Sequence, residues 1–144
     1  MGENETFSII IAALDEEEHV ENLVRSIFKQ TYRPIEVIFV DDGSKDKTLH
    51  IVKKLKEEFD QKDFSISILE TRKSNKGRGP AAAWNLGLST SKGRYVLFLP
   101  GDAKLTKKDT LEIIGNKLPK NQIVGFKFKP IIDNSLESNI SFDY

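Results

Sequence analysis

Residues 7–13 read FSIIIAA, seven positions without a charge and with a single hydroxyl, and no other run constrains the fold as much. It is too short for a buried helix and too uniformly apolar for a strand with one wet face. It therefore predicts a strand covered on both sides, central in a layered sheet. Next, Val20, Leu23, Val24, Ile27 and Phe28 fall on one helical stripe. The acidic residues 15–18 sit at that helix's positive end. Tyr32-Arg33-Pro34 stops the helix, and residues 35–40 (IEVIFV) predict a second strand that ends abruptly in Asp41-Asp42-Gly43-Ser44.

The pattern repeats downstream. Ile51, Val52, Leu55 and Phe59 mark a helix over residues 48–59, with Ser44 or Asp46 placed to cap it, and residues 65–69 predict a third strand. Residues 71–80 (TRKSNKGRGP) are basic and aperiodic, hence a loop, and Pro80 opens a helix whose small residues allow close approach to a sheet. Residues 94–99 predict a fourth strand ending at Pro100-Gly101-Asp102. Thr106 with Asp109 resembles a capping box ahead of Leu111, Ile114 and Leu118, and residues 123–128 predict a fifth strand. Strands alternating with helices define an α/β fold, a three-layer α/β/α sandwich around a mostly parallel, Rossmann-like central sheet with right-handed crossovers. Residues 131–144 have no clear period and read as ragged or truncated.

Composition narrows the chemistry. A chain of 144 residues suits one domain. With no cysteine and two histidines, it lacks thiolate nucleophiles, disulfides and thiolate metal sites, so any metal is expected to be oxygen-bound. The 22 basic and 22 acidic residues cancel, which argues against a dedicated nucleic-acid binder. The two halves differ: residues 1–72 carry 10 basic and 16 acidic groups, and residues 73–144 carry 12 and 6. That split suits a site for both a cation and an anion, or plain solvated helix faces. No run approaches the roughly 20 apolar residues of a membrane span, and the start has no signal-peptide pattern.

Ligands of open parallel sheets bind beyond the carboxyl ends of the strands. Here those positions hold residues 12–15, 41–44, 70–78 and 100–103, combining carboxylates with Arg72, Lys73, Lys76 and Arg78. Such a rim suits a nucleotide diphosphate. Two other small parallel α/β classes fit badly. A phosphorelay receiver needs an acidic pair after strand one, where Ala12-Ala13 stands, and a phosphoacceptor Asp after strand three, where Glu70 stands. A dinucleotide-binding dehydrogenase needs G-x-G-x-x-G after strand one, which is missing.

Four motifs in order, the strand-one run with Leu14-Asp15-Glu16-Glu17, then Val40-Asp41-Asp42-Gly43-Ser44, Gly79-Pro80-Ala81 to Asn85-Leu86-Gly87, and Gly93 to Leu99, resemble the inverting family 2 glycosyltransferases of GT-A fold. The likeness spans residues 7 to about 118. It implies transfer of a sugar from a nucleotide-diphosphate-sugar donor to a hydroxyl acceptor, a saccharide or a lipid carrier, with inversion. The alternative is a degenerate or truncated module that binds nucleotide or a protein partner without catalysis.

By resemblance, Ala12, Leu14, Glu16, Asp41, Asp42, Lys76, Arg78 and Gly101 are the nucleotide-binding positions, Asp42 taking the base and Asp41 serving the turn or the ribose. Ala12, Leu14 and Asp15 stand where the family often has proline or threonine, tyrosine and asparagine. The family's metal motif, Asp-x-Asp, is half present: Pro100 replaces the first Asp and Asp102 keeps the last, so Asp102 is the expected ligand of Mg²⁺ or Mn²⁺. Trp84 is expected in the core and neither histidine is assigned a chemical role. The catalytic base is unassigned, with Asp133, Glu137 and Asp143 the later carboxylates. The resemblance also implies that residues 1–144 are one donor-binding domain ending before the acceptor-binding part, placed at the inner membrane face where the acceptor is a lipid; the lack of cysteine, signal pattern and span leads to the cytoplasm as the expected location.

Overall fold

The computed structural model describes residues 5–74 and 77–117. Lys76, the expected fifth strand, the ragged tail and the three later carboxylates lie outside the described residues. Four strands, β1 (Phe7–Ala13), β2 (Ile35–Asp41), β3 (Phe64–Glu70) and β4 (Tyr95–Pro100), form a parallel sheet of order β3-β2-β1-β4. Four α-helices accompany them among the described residues, α1 (Val20–Phe28), α2 (Thr48–Phe59), α3 (Pro80–Thr90) and α4 (Thr110–Lys117), with a 3-10 turn at Thr71–Lys73. Matched registers, with Ala13 opposite Asp41 and Asp41 opposite Glu70, bring the carboxyl ends of β1, β2 and β3 level at one rim.

The two faces of β1 are buried against different layers, which is why its sequence lacks alternation. Ile9 and Ile11 join the larger core with Leu23 and Ile27 of α1, Val52 and Leu55 of α2, and Leu111 and Ile114 of α4. Ile10 points the other way, into a smaller core with Ile38, Val40 and Ala83 of α3. Each fully buried side chain of this kind stabilises the fold by roughly 1.5–3 kcal/mol. Gly87 is what lets α3 settle on the sheet: a Cβ there would stand 2.4 Å from Ile10 Cγ2. Stacked Phe28 and Phe59, with Phe64 edge-on to both, close the far end of the larger core.

β4 differs. Leu97 and Leu99 are buried, but Val96 and Phe98 on the α3 side are 37% and 42% exposed, and β4 is the edge of the sheet among the described residues. Trp84 is half-buried and lies edge-on to Phe98, at the margin of the smaller core.

The expected capping box is also displaced, because α4 begins at Thr110, four positions after Thr106. The buried Gln30 side chain, two residues past the end of α1, caps α4 instead. Its Oε1 accepts the Leu111 N–H at 3.1 Å and its Nε2 donates to the carbonyls of Ser26 and Lys107. A partner 81 residues away satisfies an N–H that a local side chain would otherwise have to reach.

Candidate functional site

The rim starts with two loops locked together. Asp15, just past β1, has φ 53°, a left-handed conformation that Asp and Asn tolerate better than most residues. Its N–H donates to Ser44 Oγ at 2.9 Å, while its Oδ1 accepts the N–H groups of Lys45 at 2.7 Å and Asp46 at 3.3 Å. Glu16 N–H donates to Thr48 Oγ1, Glu17 N–H to Asp46 Oδ2, and Lys47 N–H to Glu17 Oε2. Asp46, not Ser44, serves the start of α2, its Oδ1 accepting from the Thr48 N–H and hydroxyl. Burial pushes the Asp46 carboxyl up, but the hydrogen bonds from Thr48 and Glu17 outweigh it and hold it below the usual range.

The aspartate pair after β2 divides its work. Asp41 is fully buried, and its Oδ2 accepts the N–H groups of Gly43 and Ser44 at 3.0 Å each, which builds the turn. Its Oδ1 is buried and has no hydrogen-bond partner among the described residues. Asp42 is half-exposed and faces the rim. Thr71 Oγ1 donates to Asp42 Oδ1 at 2.6 Å, and the Gly79 N–H is 3.0 Å from both carboxylate oxygens. Gly79 precedes α3, so the carboxylate sits at that helix's positive end with its orientation fixed. An ionised carboxylate has about four acceptor positions, and these two donors leave Asp42 capacity for a further N–H.

The basic loop is not uniform. Glu70 pairs with Lys73 Nζ at 3.0 Å and Arg72 Nε at 3.5 Å. The Lys73 hydrogen bond, aided by the Lys73 and Arg72 charges, holds the Glu70 carboxyl below the usual range against the opposing effect of burial. Arg78 instead reaches back over the β2 turn, where its Nη2 donates to the Asp42 carbonyl at 3.1 Å. Gly43, at φ 103°, leaves the space for it, since a Cβ would stand 2.3 Å from that nitrogen.

The fourth part of the rim is Pro100-Gly101-Asp102. Gly101 N–H donates to the Ala12 carbonyl at 3.2 Å, and a Cβ on Gly101 would lie 2.8 Å from both Ala13 Cβ and Glu16 Cγ. The glycine thus seats the β4 turn directly on the β1 turn. Asp102 beside it is exposed, with no hydrogen-bond or ion-pair partner among the described residues. Those residues contain no group of three or more His, Cys, Asp or Glu side chains able to hold a metal ion. A lone free carboxylate still suits Mg²⁺ or Mn²⁺, because such ions commonly take one or two carboxylates and fill the remaining positions with phosphate oxygens and water.

Of the positions named from the sequence, Ala12, Leu14, Glu16, Asp41, Asp42, Arg78, Gly101 and Asp102 lie on or just behind this rim; Lys76 is outside the described residues. Leu14 is 50% exposed, an apolar side chain standing free at the β1 turn. Three contributors escaped the sequence reading. Thr71 and the Gly79 N–H orient Asp42, and His19 Nδ1 lies 2.9 Å from Glu16 Oε2. No local pattern marks Thr71, whose partner is 29 positions away; His19 meets Glu16 across the turn that leads into α1, where the His19 N–H also donates to the Glu16 carbonyl at 3.0 Å.

A rim of carboxylates and cations lies at the carboxyl ends of this parallel sheet, the place where open α/β sheets bind their ligands. Residues 8–139 match the family model described as glycosyl transferase family 2. The chain belongs to the family 2 glycosyltransferases, and its fold is GT-A. It is 40% identical over 98 residues to the Escherichia coli UDP-Glc:alpha-D-GlcNAc-diphosphoundecaprenol beta-1,3-glucosyltransferase WfaP, covering 68% of this chain and 36% of that one. S. aureus TarS 1-349 in complex with UDP-GlcNAc superposes with a TM-score of 0.63 at 32% identity, covering 77% and 30% of the two chains. Mannosyltransferase PcManGT from Pyrobaculum calidifontis, in complex with GDP-Man and Mn²⁺, gives 0.66 at 27% identity, covering 76% and 31%. The chain thus spans about a third of the length of each of these proteins.

Proposed function

We propose that this chain binds a nucleotide-diphosphate sugar along the rim of β1, β2, β4 and the start of α3, and serves transfer of the sugar to a hydroxyl acceptor with inversion. The observation that carries the reading is Asp42: a half-exposed carboxylate, fixed by Thr71 and Gly79, with acceptor capacity left for a ring N–H of the base. Leu14 offers an apolar surface beside it. Arg78, held over the β2 turn, supplies positive charge for the diphosphate, with Lys76 in the same loop; Arg72 and Lys73 are engaged by Glu70. Named ligands of relatives, UDP-GlcNAc for TarS and GDP-Man for PcManGT, support this class of donor.

As the bond to the sugar breaks, charge grows on the departing diphosphate. A cation preorganised near it lowers the barrier electrostatically, and Arg78 is the described residue suited to do so. Asp102 would hold Mg²⁺ or Mn²⁺, which when bound neutralises phosphate charge. The Mn²⁺ bound with GDP-Man in PcManGT supports use of a divalent cation with this class of donor. Inversion also needs a base to take the acceptor's proton. That group is sought among Asp133, Glu137 and Asp143 or on a further acceptor-binding part. The diphosphoundecaprenol in the name of WfaP supports a lipid-carried acceptor; among the described residues no helix is long and apolar enough to cross a membrane.

A second reading, a module that binds nucleotide without transfer, is favoured by one feature: Pro100 stands where the family has the first Asp of its metal motif. A thermal-shift panel of UDP, GDP and dTDP with and without Mn²⁺ tests the binding that both readings share. Ligand at about 100 times its Kd adds roughly 2.7 kcal/mol to stability. One nucleotide is expected to raise Tm, with affinity about 10- to 100-fold weaker in Asp42→Asn, which keeps an oxygen for Gly79 but turns an NH₂ toward the base. Asp102→Ala is expected to abolish only the Mn²⁺-dependent part. A cooperative melt that no nucleotide shifts sinks both readings, whereas a shift without sugar transfer to any acceptor leaves the second.

A further inference from the structure

Away from this rim, between α1 and the segment joining β4 to α4, lies a cavity of about 300 Å³ bordered by Asn22, Arg25, Lys29, Lys104, Lys107 and Lys108. No carboxylate lines it. The nearby Glu21 and Glu58 are bound to Arg25, and Glu112 accepts the Thr31 hydroxyl. The four lysines are exposed and have no ion-pair partner among the described residues.

Local stability explains only one of them. Lys29 caps the carboxyl end of α1, where a cation is favourable, but Lys104, Lys107 and Lys108 precede the amino end of α4, where cations are repelled. Their backbone is nevertheless held firmly. Leu105 N–H donates to the buried Ser26 Oγ at 3.0 Å, Gln30 Nε2 to the Lys107 carbonyl at 2.7 Å, and Thr31 N–H to the Lys108 carbonyl at 2.8 Å. Like charges are thus gathered on a fixed frame around a concavity, the arrangement that focuses a positive potential.

We propose that this cavity is an anion site for the phosphate groups of a small, multiply charged phosphorylated compound, separate from the donor rim. Its volume lies at the small end of ligand pockets and suits a diphosphate-sized group more than an extended polymer. Lysines meet phosphate as point charges from several directions, so the site needs no planar fork. The phosphate can come from a soluble compound or from a lipid headgroup.

The test titrates inorganic pyrophosphate into the 144-residue chain without divalent cations and follows the backbone amides by NMR. Saturable one-to-one shifts are expected at Lys29, Leu105, Lys107 and Lys108. The Kd should weaken at least tenfold in Lys104→Gln/Lys107→Gln, a double variant whose side chains are exposed and whose fold is checked by an unchanged urea midpoint. Phosphatidylcholine vesicles with and without phosphatidic acid separate the sources. Lysine-dependent sedimentation with phosphatidic acid assigns a headgroup, and pyrophosphate binding without sedimentation assigns a soluble compound. Shifts confined to the surroundings of Asp42 and Arg78, a titration without saturation, or equal affinity in the double variant would overturn the proposal.

Discussion

At the scale of single residues, the site depends on side chains that carry two jobs. Asp15 is one: its left-handed backbone turns the chain off β1, and its carboxylate ties that turn to the start of α2. Asp15→Ala should cost about 2 kcal/mol in urea unfolding, part from the positive φ and part from the lost hydrogen bonds. Asp15→Gly should cost less because it relieves the backbone, and Asp15→Asn less than about 1 kcal/mol because it keeps both properties. An equal loss in all three would refute the dual role. The sequence identifies Asp15 as a departure from asparagine but not why it is tolerated, since φ is set by the fold around it. Asp41 and Asp42 are told apart by the family resemblance, which gives Asp41 the turn or the ribose and Asp42 the base, and not by local pattern. Adjacent identical residues differ only in what the turn buries, and one became a core anchor while the other faces the rim.

At the scale of elements, local pattern was enough wherever both ends of a segment carry their own signals. The first strand, α1 and α2 occupy the spans that periodicity and Pro34 imply, and β2 and β3 extend one or two residues further because parallel pairing continues to Asp41 and Glu70. The start of α4 does not follow the local pattern because its cap is tertiary, supplied by Gln30 just beyond the end of α1. α3 illustrates a packing requirement that small residues do announce. Gly87→Ala gains up to about 1 kcal/mol of helix propensity but drives a methyl into Ile10 Cγ2 and within 3.2 Å of Val40 Cγ2. Overpacking of this kind costs about 1–3 kcal/mol, so the variant should be less stable overall, with a lower urea midpoint and an unchanged m-value. A raised midpoint would mean that α3 rides higher on the sheet than its contacts imply.

For the whole molecule, the ionisable groups define a pH window of stability. Asp46 and Glu70 have carboxyls held below their ordinary values of 3.8 and 4.5. A group depressed in the folded state stabilises it above the unfolded pKa, and that stability is lost as pH falls through the folded value. Below about pH 4.5, then, the loops that form the rim should loosen first, because Asp46 joins the β1 turn to α2 and Glu70 anchors the basic loop. Tyr32 sets the alkaline limit. Burial raises its hydroxyl above the usual 10.0, and that hydroxyl donates to the Glu5 carbonyl. Its neutral form stabilises the fold fully below pH 10, and the contribution disappears as pH rises through the folded value. Urea midpoints measured from pH 3 to 11 should therefore show a plateau with two falling limbs. Asp46→Asn should flatten the acid limb and leave the alkaline one, whereas Tyr32→Phe should lower the plateau slightly and flatten the alkaline limb. If each variant merely shifts the whole curve down in parallel, neither group is coupled to folding through its proton, and the two hydrogen-bond sets act as neutral contacts alone.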